Sequence, residues 1–421
     1  MVVLRRRGDA AYVIAVVSGA HFVSHIFLLA FPPLFPLLAR EFGLSTARLG
    51  LLITAMYVPT LLFQLPVGDL IDRIGARRVL ASGIAVTALG IALAGLAPNY
   101  PVLLACAFLS GMGQTVFHPA DYALLSTVTE ASTEGTAFSI HTFGGYAGFA
   151  AAPVVVGGVA LAIGWEIALI AVGLIGAGYA VVVHLTVEAV HTRTIRARRP
   201  DEPGSSPDAS ESVRETIGAL LTFARRSKML LVFSFYLVTM MAFVGFQSFT
   251  TVLAVETYGF DESTANSLLT AHLTATAIGV LVGGPLADRL PVREILVAML
   301  LSAALSVWAL VITGVSSLLL AGALLSIVGL LLGVSLPSRD KFANVVADRG
   351  AAGKSFGFFF TGLSLGAVVS PVFLGAVIDR SSPSVAFLFV GGFLIVAVVV
   401  VVAAHVTGIG HPVQESTRND D

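Results

Sequence analysis

Nine ionisable side chains sit inside stretches of sequence that are otherwise apolar: His21, His25, His118, Asp121, His141, His272, Arg339, Asp340 and Lys341. A charge within hydrocarbon costs about 2.5–3.5 kcal/mol on insertion scales, so residues of this kind mark function by default. An imidazole beside a carboxylate can hold or pass a proton near neutral pH. His118 and Asp121 lie on one stretch, and the short connection at 129–135 folds it back on the stretch that carries His141, which puts Asp121 and His141 at similar depth. These three, together with Arg339 and Asp340, form the expected proton-coupling or gating group. For each histidine the competing reading is a hydrogen bond to a neighbouring helix. No close spacing brings three ligands together, so no metal site is expected, and Cys106, the only cysteine, excludes an internal disulfide.

Membrane helices must position these groups. The chain is 56% hydrophobic and 12% charged, against about 25% charged in a soluble domain, so little of it can face water. Its 421 residues accommodate about twelve spans of roughly 20 residues. Apolar stretches predict helices near 11–39, 47–68, 78–97, 101–128, 136–163 and 165–187, then 229–256, 264–286, 294–314, 317–346, 354–378 and 384–406. The expected fold is an all-α integral membrane protein. It divides into an N-terminal six-helix bundle over 1–187, a polar linker over 188–228, a C-terminal six-helix bundle over 229–406 and a tail over 407–421. The end of the linker, Ser212 to Lys228, places Val213, Ile217, Leu220, Leu221 and Ala224 on one face, as in a helix lying on a membrane surface. The run after Arg5-Arg6-Arg7 continues to about Ala39, too long for a signal peptide, and reads as a retained first helix. Lys and Arg are retained on the cytoplasmic side. With both termini cytoplasmic, only Arg40, Arg48 and Arg380 of the 24 basic residues fall outside, and the expected location is the plasma membrane.

The chain also repeats itself. Gly111, Pro119, Gly135, Phe138, Gly144, Gly148 and Pro153 recur at a constant offset of 218 residues as Gly329, Pro337, Gly353, Phe356, Gly362, Gly366 and Pro371. Gly68-Asp69-Leu70-Ile71-Asp72-Arg73 is echoed by Gly284-Pro285-Leu286-Ala287-Asp288-Arg289. Two homologous halves with matching glycines and prolines are the construction of a secondary transporter. The same offset makes Asp121 and Arg339 pseudosymmetric partners. Opposite charges about 4 Å apart would attract by roughly 4 kcal/mol at an effective dielectric of 20, before desolvation subtracts from it. The alternative is that Arg339 pairs within its own bundle, with Asp340 or a helix end.

The run from Gly68 to Arg78 resembles the loop signature of the major facilitator superfamily. That resemblance implies two pseudosymmetric six-helix bundles, and a conformational latch made by Gly68, Asp69, Asp72, Arg73, Gly75 and Arg77 with Asp288 and Arg289 of the second copy. A narrower resemblance rests on His21-Phe22-Val23-Ser24-His25, on Gly111-Met112-Gly113-Gln114-Thr115-Val116-Phe117-His118-Pro119, and on Gly144-Gly145-Tyr146-Ala147-Gly148 with Pro153. These are similar to the fosmidomycin-resistance branch of that superfamily, which implies efflux of small, often anionic antibiotics in exchange for protons. The chain departs from the pattern where Ser24-His25 stands in place of an Asn-Asp pair, and where Ala107 stands in place of the helix-4 arginine of many proton antiporters. His21, His25, Gln114, Phe246 and Gln247 are expected to line a substrate cavity.

Export of a small organic solute driven by proton entry is the favoured reading, and a proton-coupled importer of a small organic acid or nutrient would use the same fold. A receptor or scaffold without flux is the reading from another class. An enzyme is not expected, because no positioned nucleophile accompanies His118 and Asp121. Gly353-Lys354-Ser355 resembles the end of a phosphate-binding loop, but Asp348 stands where that loop needs glycine. The expected partners are the solute, protons and the lipid bilayer, with no cofactor, no nucleic acid and no obligatory protein partner.

Overall fold

The computed structural model describes residues 2–64, 66–130, 133–187, 218, 222–315, 317–347 and 352–406. Most of the expected surface helix of the linker, and the tail, lie outside them. Twelve helical segments among the described residues are long and apolar enough to cross a membrane.

The first half begins with α1 (Val2–Leu28), which stops where Pro32 and Pro33 remove two backbone donors. One 3-10 turn, Pro32–Leu34, then leads into α2 (Phe35–Phe42). Next come α3 (Thr46–Phe63), α4 (Val67–Ile74) and α5 (Ala76–Ala94). Gly75 joins the last two at φ +88°, a conformation that side-chain-bearing residues avoid. The fourth span is two helices, α6 (Tyr100–Gln114) and α7 (Phe117–Val128). The break has a local cause: Pro119 has no N–H to offer the Thr115 carbonyl, and its ring crowds that carbonyl. A π turn, Pro153–Gly157, likewise separates α8 (Glu134–Ala152) from α9 (Gly158–Ile163), and α10 (Trp165–Thr186) completes the half.

The second half is less interrupted. It comprises α11 (Ser227–Val252), a π turn at Leu253–Thr257, α12 (Glu262–Arg289), α13 (Val292–Ile312), α14 (Leu318–Val346), α15 (Ala352–Arg380) and α16 (Pro383–Val406). Pro337 and Pro371, the repeats of Pro119 and Pro153, lie inside continuous α14 and α15. The single helices expected at 11–39, 101–128 and 136–163 are therefore broken in the structure, and their counterparts in the second half differ in how they bend.

Glycines set the packing, as they do where apolar lipid gives helices no hydrophobic reason to associate and close backbone approach must hold them. A Cβ on Gly111 would stand 2.3 Å from the Met56 carbonyl, and one on Gly329 2.1 Å from that of His272. Gly144 and Gly362 meet the carbonyls of Ser18 and Phe233, and Gly148 and Gly366 those of Phe22 and Leu237. The sequence repeat is thus a repeat of helix contacts.

The halves join mainly through α3 against α15 and α8 against α12. Asp379, at the end of α15, accepts from the backbone N–H of Thr46 and Ala47 at 2.7 and 2.9 Å, capping the start of α3. Arg40 pairs with Glu262, the Thr251 hydroxyl donates to the Pro32 carbonyl at 3.0 Å, and the Thr54 hydroxyl donates to the Val368 carbonyl at 2.7 Å. Among the described residues these are the hydrogen bonds between the halves. They all lie from mid-span to the end opposite the linker, so that end is sealed.

Candidate functional site

Between the halves lies a cavity of about 250 Å³ with walls from both. From the first half, α1 supplies His21, Ser24 and His25. The junction of α6 and α7 supplies Gln114 and His118. Gln114 also fastens that junction, since its Nε2 donates to the Ser24 carbonyl at 2.9 Å. The break at Thr115–Val116 lets the short α7 leave the line of α6 and bring His118 back to α1, with ring centroids of His21 and His118 5.3 Å apart. Aromatic rings of Tyr146, Phe149 and Phe243 shape a further part of the wall, beside aliphatic and hydroxyl side chains such as Leu332, Thr239 and Ser335.

Behind His21 stands a sealed layer. The His21 ring stacks on His141 at 4.0 Å, and its Nδ1 donates to the His141 carbonyl at 2.9 Å. Nε2 of His141 is 3.6 Å from Oδ2 of Asp121, and both side chains are wholly buried. Neither carboxylate oxygen of Asp121 has a hydrogen-bond partner among the described residues. At 3.6 Å the pair is beyond hydrogen-bond length, and a movement of about half an ångström would close it. A buried carboxylate left in this way can take up a proton or share one with the imidazole, and it does so out of reach of solvent.

The second half faces this cluster with fixed charge. Nε of Arg339 donates to Oδ1 of Asp340 at 2.9 Å, and the guanidinium lies 5.0 Å over the Tyr236 ring. The Tyr236 hydroxyl donates to the same Asp340 oxygen at 2.9 Å. Arg339 lines the cavity, and its bond to Asp340 is made through Nε rather than through the terminal nitrogens. They form the fork geometry that suits a carboxylate or phosphoryl oxygen pair.

The structure brings together most of the residues singled out from sequence. His21, His25 and Gln114 line the cavity as expected. Phe246 and Gln247 do not. They follow Phe235, Thr239 and Phe243 along one face of α11, but one turn deeper, where the sealed end begins. There Phe246 stacks on His272 at 4.9 Å, and His272 Nδ1 donates to the Leu325 carbonyl at 3.0 Å, a packing role. Asp121 and Arg339 each pair inside their own half. Lys341 donates to the Ala287 carbonyl at 2.7 Å and stands 3.5 Å from Asp288, in the second copy of the loop motif. In the first copy Asp72 and Arg73 are exposed, while Arg77 is buried and its guanidinium donates to the His184 carbonyl of α10.

Two features were not anticipated. Tyr236 is central to the Arg339 group, and its signal was the helix repeat: three residues after Ser18 comes His21, and three after the matching Phe233 comes Tyr236. The expectation that no three metal ligands converge also fails. One ring nitrogen from each of His21, His25 and His118 lies within 4.8 Å of the others. Sequence spacing showed the i, i+4 pair on α1, but not the return of α7 toward it.

The chain resembles known proteins along nearly its whole length. The profile described as Major Facilitator Superfamily matches residues 17–265 and 235–419. An uncharacterized MFS-type transporter of Bacillus subtilis, YfnC, is 26% identical over 399 residues, covering 93% of this chain and 94% of the relative. The fosmidomycin resistance protein of Escherichia coli is 25% identical over 377 residues, 88% and 87% of the two chains. A crystal structure of a bacterial homolog of the human lysosomal transporter Spinster, in an inward-facing and occupied conformation, superposes with a TM-score of 0.76 at 16% identity, over 94% of this chain and 97% of that one.

Proposed function

This chain belongs to the Major Facilitator Superfamily, and we propose that it exports a small organic anion from the cell in exchange for protons. It is a multi-pass membrane protein and a secondary transporter of that type, not an enzyme. The observation that carries the anionic substrate is Arg339, a guanidinium on the cavity wall that reaches Asp340 through Nε rather than through its terminal nitrogens. Asp340 on the same wall meets the Nε side of this cation, and the remaining fork favours an anion with paired oxygens. Asp121 and His141 support proton coupling, because a sealed carboxylate beside an imidazole can change its protonation without contact with the solute.

The cycle then follows from the packing. The sealed end and the cavity describe one state of alternating access, in which solute enters from the linker side. On this reading the linker side is cytoplasmic, with both termini there and the protein in the cell membrane, in keeping with the distribution of Lys and Arg. The exposed Asp72 and Arg73, with Asp288 and Arg289 opposite, act as the latch that holds the cytoplasmic face when it closes. Export is favoured over import by the likeness to the fosmidomycin resistance protein.

The test is flux in vesicles of purified protein. A proton gradient, acid outside relative to the cytoplasmic face, should drive small phosphonates or carboxylates from the cytoplasmic face outward, against their own gradient. Accumulation with the opposite sign would make the protein an importer. Equal transport of cationic and anionic solutes would remove Arg339 as the selecting group.

A further inference from the structure

We propose that His21, His25 and His118 form a binding site for one divalent transition-metal ion of the Zn2+, Co2+ or Ni2+ kind, with an open coordination position toward the cavity. The inference rests on side-chain geometry and stands whatever the direction of transport.

The donor set is right in type and number. Neutral imidazole suits these borderline ions, and three protein ligands with one open position is the arrangement of a site that exchanges a ligand. His21 and His25 are one helical turn apart on α1, so both rings leave the same face, with centroids 4.3 Å apart. His118 closes the third corner from α7, and the three ligand nitrogens lie within 4.8 Å of one another. Nitrogen ligands on a tetrahedral ion with bonds of about 2.0–2.1 Å stand a little over 3 Å apart, so small rotations of the rings complete the site.

The ligand atoms are also left open. Nδ1 of His21 donates to the His141 carbonyl, which fixes the tautomer and leaves the lone pair on Nε2. That Nε2 is buried and has no hydrogen-bond partner among the described residues, and the same is true of Nδ1 of His25. Buried imidazole nitrogens of this kind are costly unless something fills the position. Helix α8 makes room for the rings through Gly145, where a Cβ would stand 2.6 Å from Cε1 of His25 and 2.7 Å from Cε1 of His21. Behind the ligands, the His141 carbonyl orients the His21 ring, and the buried Asp121 carboxylate beyond it would offset the ion's charge.

The two remaining positive charges of such an ion need an anion at the open position. His118 is the ligand exposed to the cavity, and Arg339 lines the same cavity. A small carboxylate or phosphonate with a metal-binding oxygen would therefore sit with one end on the ion and another on the guanidinium. The solute class this selects is the chelating organic anion.

The experiment is titration of the purified full-length protein with Co2+, after removal of any histidine tag, followed by visible absorption. One equivalent should produce the intense bands of a tetrahedral Co2+ centre, and Zn2+ should bleach them. His118→Ala changes a side chain that faces the cavity, so folding should survive, and affinity should fall more than about tenfold, the lower limit given by loss of a supporting partner alone. His25→Gln should do the same, and His272→Gln, in the packed core of the other half, should leave the bands intact. Absence of a saturable tetrahedral signal in the wild-type protein overturns the site. So does a signal that persists unchanged in His118→Ala, or one lost equally in His272→Gln.

Discussion

In the first half, the ring that α1 turns toward the cavity is the imidazole of His21. At the matching place on α11 stands the phenol of Tyr236, which is buried behind the wall and bonded to Asp340. The correspondence runs on through the site: His25 is matched by Met240, His118 by Leu336, Asp121 by Arg339, and His141 by Phe359. The glycines under these residues meet equivalent carbonyls in both halves, so the scaffold is duplicated while the chemistry is not. The imidazoles and a sealed carboxylate are gathered in the first half, and the second holds a guanidinium paired with Asp340. On the proposed function, this division would let the solute stay bound at Arg339 while protonation changes at Asp121 and His141. The backbone divides similarly, with α6 and α7 separated before Pro119 while α14 runs unbroken through Pro337.

The sharpest way to break the comparison is to remove proton exchange from the first half alone. Asp121→Asn should abolish accumulation driven by a pH gradient while downhill exchange of solute continues, and wild-type accumulation by this variant would move coupling to another group such as Asp340. Next in size is the fixed charge of the second half. Arg339→Gln removes hydrogen bonds to a charged group, each typically contributing 1.5–3 kcal/mol, so solute affinity should fall roughly 10- to 150-fold with the preference for anions lost. Calorimetry on the detergent-solubilised protein would measure it, and an unchanged dissociation constant would make Arg339 a packing residue.

Reversing both halves together is the intermediate case. If Asp121 and Arg339 meet when the linker end closes, Asp121→Arg and Arg339→Asp should each impair transport, and the double reversal should restore part of it. Lack of recovery, with cysteines at the two positions that never cross-link in any state, removes the gate. The smallest effect is expected at the sealed end, outside the site. Arg40 is exposed and Glu262 half-buried, and surface pairs of this kind contribute about 0.2–1 kcal/mol, so Arg40→Gln should shift transport rates by less than about fivefold. A much larger loss would assign that pair a role in coupling.

The sequence made the twelve spans, the two halves and the proximity of Asp121 to His141 legible, because hydropathy, spacing and the repeat each reflect a constraint on a single helix or helix pair. Depth and bending were harder to read. Phe246 and Gln247 have the polarity and position of cavity residues, yet they lie one turn past its floor, which depends on how two separate bundles lean together. The approach of His118 to His21 depends on the break at Thr115–Val116. Pro119 signalled a bend there but not its direction, and the same residue type at Pro337 makes no break.

Asp379 offers a last consequence. The carboxylate caps the first two N–H groups of α3 from the other half of the molecule, and it does so at an exposed helix end. When that end opens, the two donors and the carboxylate are handed to water, which satisfies them nearly as well. Thr54 sits deeper, but its hydroxyl can turn to a carbonyl of its own helix when Val368 withdraws. The bonds across the seam can therefore be exchanged without orphaning a polar group in hydrocarbon. The two states can lie close in free energy, leaving the choice between them to whatever occupies the cavity.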